Sequence, residues 1–381
     1  MLKIDERVMI RVAPFGMDLV LTIFYLATPL ALIDLKASPV ELGLIGTITS
    51  SVQMGLANLL GSLSDRLGRR HLILTAPVIF AASCLLMTVA GQVKVVLLLS
   101  ALNGLGLALF WPSLQAWIAD FQTGPGLARD IGSFNMSWTA AHLVGPISSG
   151  FLYSLHPHLP FFVAAAISLM LFFLIYTSLY DRKHQKREKG EPLEADALNW
   201  QRGFLYAIWV ANFTSWFLLG NARYQFTKLA RELAIAPHII GLFMGCIGLS
   251  QFFGFFILRR SNRWHFKKLH LMGAQLLAVA GTLLIFLFSE QFLFATAFIM
   301  IGISSSVTYY SSLYYTVHLL KKKGRGTGIH ESIIGSGALL GPILGGIAAQ
   351  YGGLRAPYLL CTAILFTAMM AELNLTKRRN I

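Results

Sequence analysis

The chain has 381 residues, 55% of them hydrophobic and only 13% charged, with a mean hydropathy of +0.63 and a formal net charge of +14. So few charges, gathered in short clusters between long apolar runs, exclude an ordinary soluble domain, which needs polar residues spread over its whole surface. The runs are also too long and too uniformly apolar for the roughly ten-residue alternating strands of a membrane barrel, which leaves helices of about 20 residues.

In chain order the apolar runs predict twelve spans, at 11–33, 40–62, 72–92, 95–117, 131–153, 160–180, 204–224, 238–258, 270–289, 292–318, 327–350 and 356–375. The first carries Asp18, with Thr22 and Tyr25 on the same helical face. The second runs into Gly61-Ser-Leu-Ser-Asp65-Arg66-Leu-Gly68-Arg69-Arg70, read as the loop to the third. The fourth, tenth and eleventh read as the most polar. Asn103, Trp111 and Gln115 lie in the fourth, and His142 precedes Gly145-Pro146 in the fifth. After the sixth comes the longest polar stretch, Asp181 to Arg202. It divides the chain into a six-span N-terminal bundle (1–180), a cytoplasmic linker (181–203) and a six-span C-terminal bundle (204–381). Arg223 closes the seventh span, hydroxyls crowd the tenth from Ser304 to Tyr315, and Glu331 sits a turn inside the eleventh, ahead of Gly341-Pro342.

Where the basic residues fall decides what the net charge means. With the N-terminus inside and twelve spans threaded, the inner segments hold 25 of the 31 Lys and Arg and the outer side holds six: Lys36, Lys94, Arg223, Lys228, Arg231 and Arg355. That bias is the positive-inside rule, which orients both termini to the cytoplasm and argues against a nucleic-acid surface. No G-x-x-x-x-G-K-[ST] loop is present, so no nucleotide partner is expected. Cys84, Cys246 and Cys361 lie far apart within spans, and His156 and His158 form too sparse a pattern for a metal; neither metal nor cofactor is expected. The charged start and long first run do not read as a cleavable signal peptide.

The halves repeat. Residues 128–150 (ARDIGSFNMSWTAAHLVGPISSG) match 324–346 (GRGTGIHESIIGSGALLGPILGG), pairing Arg129 with Arg325, Gly132 with Gly328, Gly145-Pro146 with Gly341-Pro342 and Gly150 with Gly346, all at an offset of 196. A second pairing sets 110–117 against 309–316 at an offset of 199. Six spans per half put both repeats into the membrane with one orientation, the parallel-repeat arrangement with a substrate site between halves.

The segment GSLSDRLGRR (61–70) resembles the signature loop of the major facilitator superfamily, G-x-x-x-D-R-x-G-R-R, at every fixed position and between the expected spans. The family's G-x-x-x-G-P-x-x-G-G pattern, placed on its fifth helix and associated with antiporters, recurs in relaxed form at Ala141, Gly145, Pro146, Ser149 and Gly150. It is complete at Gly337, Gly341, Pro342, Gly345 and Gly346. The resemblance covers the whole chain. It implies an all-α membrane protein with the major facilitator fold, twelve transmembrane helices in two pseudo-symmetric six-helix bundles. It also implies that Gly61, Asp65, Arg66, Gly68, Arg69 and Arg70 form a conformational latch, with Asp65 facing the start of the eleventh helix. Gly145, Pro146, Gly341 and Pro342 are expected to bend their helices and let neighbours approach. Two departures stand out: Leu258 replaces the aspartate in the second-half copy of the loop, and the fourth span lacks the arginine common in proton-coupled members.

Ionisable groups inside spans are functional candidates. Asp18, His142 and Glu331 are read as proton-coupling or gating residues, each against a structural alternative: an interhelix bond for Asp18 or His142, a helix N-terminus for Glu331. Arg223 is expected to snorkel to the interface rather than bind an anion. Tyr310 and Tyr314, one turn apart, are expected to face Trp111 and Gln115 across a cavity that also holds Tyr25 and Asn103 and suits a partly apolar organic solute. These features predict a secondary transporter of the inner (plasma) membrane, exporting by proton antiport. The alternatives are an uptake symporter or facilitator for a sugar, amino acid or organic anion, and a transporter-like sensor or assembly partner without flux. No catalytic constellation suggests an enzyme.

Overall fold

A computed structural model describes residues 6–121, 125–178, 199–260, 263–320 and 323–377. The side chains of Asp65, Arg66, Arg129 and Arg325, and the segment between the two halves, lie outside what is described. Among the described residues there are twelve helices: α1 (Glu6–Asp34), α2 (Pro39–Leu67), α3 (Arg69–Met87), α4 (Val93–Phe121), α5 (Pro125–Leu155), α6 (Leu159–Ser178), α7 (Asn199–Glu232), α8 (Pro237–Leu258), α9 (Lys268–Leu287), α10 (Gln291–Leu319), α11 (Lys323–Gly352) and α12 (Ala356–Leu375). Ten are long and apolar enough to cross a membrane. The two that fall short are α2 and α5, so the expectation that the fourth, tenth and eleventh would be the most polar is corrected. Both α2 and α5 face the other half, where neighbouring helices rather than lipid meet their polar residues.

Local signals explain several boundaries. Ser38 and Glu41 form a reciprocal capping box, and Pro39 occupies the first turn of α2. The matching turn before α8 has Pro237 at the same point. Lys36 and Ala234, 198 residues apart like the two prolines, both adopt positive φ (64° and 55°), so one turn is built twice. Between α2 and α3 only Gly68 is non-helical, at φ 93°, where a side chain would be strained. The signature segment is therefore not the loop expected: Gly61–Leu67 continues α2. Helix α7 overruns its predicted end at 224 because the polar run Asn221 to Lys228 ends the apolar signal, while the structure buries most of it against other helices.

The helices pack as two sixes. α1 lies on α5 and α6, α3 on α4 and α6, and α2 on α4; α7 lies on α11 and α12, α9 on α10 and α12, and α8 on α10. The halves meet along α5–α8, α2–α11 and α1–α7. Large apolar side chains such as Leu59, Phe173, Phe253, Phe292 and Met370 point outward, as a lipid-facing surface requires.

Candidate functional site

The seams between the halves place the site, and the Gly-Pro motifs build the seams. A Cβ on Gly43 of α2 would overlap the carbonyl oxygen of Pro342 on α11, and one on Gly346 would crowd that of Pro39. The other seam repeats this: Gly241 of α8 meets the carbonyl of Pro146 on α5, and Gly150 meets that of Pro237. Within each half the same motif admits its neighbour, Gly145 against Thr22 of α1 and Gly341 against Phe217 of α7. Ser149 Oγ then donates to Ile23 O at 2.8 Å. Small residues let helices approach closely: Gly150, Gly341 and Gly346 sit against neighbouring backbone, and Gly145 against the Thr22 side chain.

At the end away from the chain termini the seams are stitched by polar contacts that the sequence reading missed. Asp34 accepts from Tyr153 Oη at 2.7 Å and lies 3.8 Å from Arg231. Lys228 Nζ donates to Ala37 O at 3.0 Å, Gln225 Nε2 to Pro39 O at 3.1 Å, and His238 N to Ser154 Oγ at 3.2 Å. Toward the terminus-bearing end α2 and α11 stay joined through Thr47 Oγ1 and Leu339 O (2.8 Å) and through Met54 against Gly335. Beyond that they part: Gly55 and Gly328 face open space, and the nearest approach to Gly61 is Pro112 at 3.9 Å.

Midway, Asp18 and His142 meet. Asp18 is 5% exposed, and its Oδ2 lies 2.9 Å from His142 Nε2. His142 Nδ1 lies 3.4 Å from Gln251 Oε1 on α8. Gln251 Nε2 donates to Ser305 Oγ at 2.8 Å, and Ser305 donates to Gly302 O at 3.0 Å. Because the Ser305 hydrogen is committed to Gly302, the Gln251 amide turns its oxygen toward His142. The imidazole stands between the Asp18 carboxylate and the Gln251 amide oxygen. A carboxylate on α1 is thus linked through α5 to α8 and α10, across the seam.

A small cavity, about 40 Å³ of water-accessible volume, adjoins this chain between Thr22, Tyr25, Leu219, Met244 and Ile247. Arg223 also lines it, with its guanidinium carbon 4.8 Å from the Tyr25 ring centre and 5.6 Å from that of Trp216. The snorkelling expected for Arg223 is corrected: α7 continues nine residues past it, which holds it inside the fold. Tyr309 packs against Trp138 (5.4 Å), Phe255 (5.6 Å) and His330 (5.1 Å).

The expected pairing of Tyr310 and Tyr314 with Trp111 and Gln115 is not what the helices make. Tyr310 packs on Phe255 and Trp264, and Tyr314 on Trp264 and His265, toward α8 and the α8–α9 connection. One residue on a helix turns the side chain by about 100°, and it is Tyr309 that faces inward. Trp111 packs on Phe110 and Phe134. Gln115 on α4 and Glu331 on α11 are both exposed, apart from the Asp18–His142 pair. Asn103 is 1% exposed, with both amide atoms unpartnered among the described residues, inside the α4 packing rather than on the cavity. In the latch segment Arg70 Nη2 donates to Tyr176 O at 2.6 Å, binding α3 to α6. The expected contact of Asp65 with the start of α11 falls on side chains outside the described residues. Sequence reasoning also passed over Glu372, wholly buried, which accepts from Gln275 Nε2 at 2.6 Å between α12 and α9.

The profile of the family described as Major Facilitator Superfamily matches residues 12–227 and again 208–379, nearly the whole chain. The chain belongs to the Major Facilitator Superfamily. It is a multi-pass membrane protein and a secondary transporter, not an enzyme. Among its relatives, Multidrug resistance protein 1 of Bacillus subtilis (strain 168) is 25% identical over 357 residues, spanning 88% of this chain and 86% of that protein. Quinolone resistance protein NorA of Staphylococcus aureus is 24% identical over 176 residues, 45% of each chain. Among solved structures, the nucleoside transporter NupG superposes with a TM-score of 0.72 at 14% identity, covering 99% of this chain and 100% of that one. A bacterial homologue of the human lysosomal transporter Spinster, inward-facing and occupied, gives 0.71 at 15% identity, covering 97% and 95%. At such identities the superpositions speak for the major facilitator fold alone. The family pattern and the structure agree on two six-helix bundles.

Proposed function

We propose that this major facilitator chain exports a small, partly hydrophobic organic solute across the inner (plasma) membrane by alternating access, driven by proton entry. The observation that carries the reading is the buried Asp18–His142 couple and its extension to Gln251 across the seam. A proton arriving or leaving there changes the charge balance where the halves touch, which is what coupling requires. Export is supported by relatives named for multidrug and quinolone resistance. The basic excess on one side supports cytoplasmic termini, which makes the open terminus-bearing end the inner one. The bundles 1–180 and 204–381 rock about the glycine seams, joined by 181–203. In the opposite state the latch segment 61–70 meets the start of α11, and Glu331 belongs to this inner gate.

The test is solute flux in proteoliposomes with and without an imposed pH gradient. Gradient-driven flux is expected for the native chain and lost in Asp18→Asn and His142→Gln, while Glu331→Gln alters inner gating. Flux indifferent to the gradient and to both of the first two variants would leave a facilitator, and binding without flux would leave a sensor. One observation favours a second reading, proton-linked cotransport of an organic anion. Arg223 adds a positive charge to the cavity, and an anion held there attracts a proton to His142 instead of displacing one. Under that reading an acid-outside gradient accumulates the solute rather than expelling it.

A further inference from the structure

We propose that Arg223 is the docking group for a carboxylate on the transported solute, and that the small cavity between α1, α5, α7 and α8 is its head-group subsite. The inference rests on the transporter reading above and names the chemistry that reading leaves open. It begins from what the arginines do. Arg70 binds Tyr176 O, Arg231 lies beside Asp34, and Arg355 donates to Ile285 O, Phe286 O and Phe288 O. Arg223 alone of these four has, among the described residues, no carboxylate within ion-pair reach and no hydrogen bond from its guanidinium. The nearby acid, Asp18, is engaged by His142.

An unpaired guanidinium inside a membrane protein is costly, and such groups mark ligand sites. Its surroundings orient it without neutralising it. The rings of Tyr25 and Trp216 hold it by cation–π contact, leaving N–H donors free for the two-pronged geometry that a carboxylate matches. The cavity's roughly 40 Å³ corresponds to about three waters, the room a carboxylate needs rather than a whole solute. Leu26, Leu219, Met244 and Ile247 make one side of it apolar, and Thr22, His142 and Gln251 line the other. The rest of a bound molecule extends along Trp216, Tyr309 and Trp138, which succeed one another at 6.5 and 5.4 Å. The site therefore reads as an aromatic trough ending in one fixed cation, suited to an aromatic or alkyl carboxylate.

The experiment titrates the purified full chain with benzoate, benzamide and benzylammonium, reading tryptophan fluorescence, since Trp216 lies against Arg223 and Trp138 against His142. The same three probes are followed as flux in proteoliposomes. Benzoate is expected to bind most tightly, to weaken on the order of tenfold or more in Arg223→Gln, and to recover partly in Arg223→Lys. Benzamide should bind the native chain and Arg223→Gln alike, which shows that the variant folds. The proposal is overturned if benzoate fails to bind, if benzamide binds equally well, or if Arg223→Gln leaves benzoate affinity unchanged. Native flux of benzamide or benzylammonium without benzoate binding would sink the subsite and keep the transporter. Benzoate bound but nothing moved would keep the subsite and sink the transporter.

Discussion

The two seams between the halves start alike and end differently. Each begins with proline carbonyls seated on glycines, at Gly43 and Gly346 on one side and Gly241 and Gly150 on the other. From there α5–α8 stays closed through His142 and Gln251, Trp138 and Phe255, and Arg259 against Met136 at 3.0 Å. The α2–α11 seam stops at Met54 and Gly335. The repeat shows why. Gln251 corresponds to Gln53 at the 198-residue offset of the α2 and α8 turns, and Phe255 to Ala57; His142 corresponds to Ala338 and Trp138 to Ile334 at the offset of 196. The backbone of the seam is duplicated, whereas the side chains that bridge it are present once. Symmetry closes one end of the molecule, and a single histidine and its aromatic neighbours distinguish the other.

The largest effect should come from forcing the closed seam apart. In Gly248→Leu the new side chain would start on the backbone of His142 and Leu143, so a loss on the order of 5 kcal/mol or more is expected, with little folded protein recovered. Gly55→Leu, which meets nothing within 4 Å, should change thermal stability in detergent by less than about 0.5 kcal/mol yet stop transport by blocking closure. Equal behaviour of the two would contradict the difference between the seams. Next, His142→Ala strands the buried Asp18 carboxylate and should lower stability by about 3–5 kcal/mol, part of which Asp18→Asn restores in the double variant. No recovery would mean the two residues act independently.

A gain should follow from copying the bridge. Ala338→His places an imidazole opposite Gln53, without a partner acid, and one hydrogen bond of about 0.5–1.5 kcal/mol should favour the closed seam. Spin labels at Leu59 and Ser332 would read a shorter distance population; an unchanged distribution would show that Gln53 does not face this position. Smallest of all, Arg231→Ala removes a partly exposed pair with Asp34 and should cost no more than about 1 kcal/mol, less at high salt. A larger loss would make that pair, rather than the glycine seam, the main closure of that end.

How far the sequence revealed this depended on range. The twelve helices, the repeat and the Gly-Pro positions follow from composition and spacing along one helix, and the structure departs from them chiefly where α2 runs on through the signature segment and α7 past 224. Asp18 and His142 could each be singled out as buried ionisable groups, but their pairing joins residues 124 positions apart and nothing local encodes it. Helix phase was the weak point in α10, where four tyrosines in seven residues leave the inward one ambiguous until α8 is packed against them. The stitching at Lys228 and Gln225 was illegible because ordinary surface-type residues there find backbone acceptors in the other half, and Asp34 meets Arg231 across 197 residues of sequence.

The reciprocal seating of glycine on carbonyl also restricts how the halves can move. Four glycines on four helices each face a proline carbonyl, like teeth in a rack. Shifting either pair of helices by one residue would bring Leu42, Leu44, Ile240 or Leu242 toward a space that admits only hydrogen. The interlock opposes shear and favours rotation about this end, a hinge. The opening at the terminus-bearing end should then widen in proportion to distance from Pro39 and Pro237, so that a solute too long for the trough is refused by angle rather than by diameter.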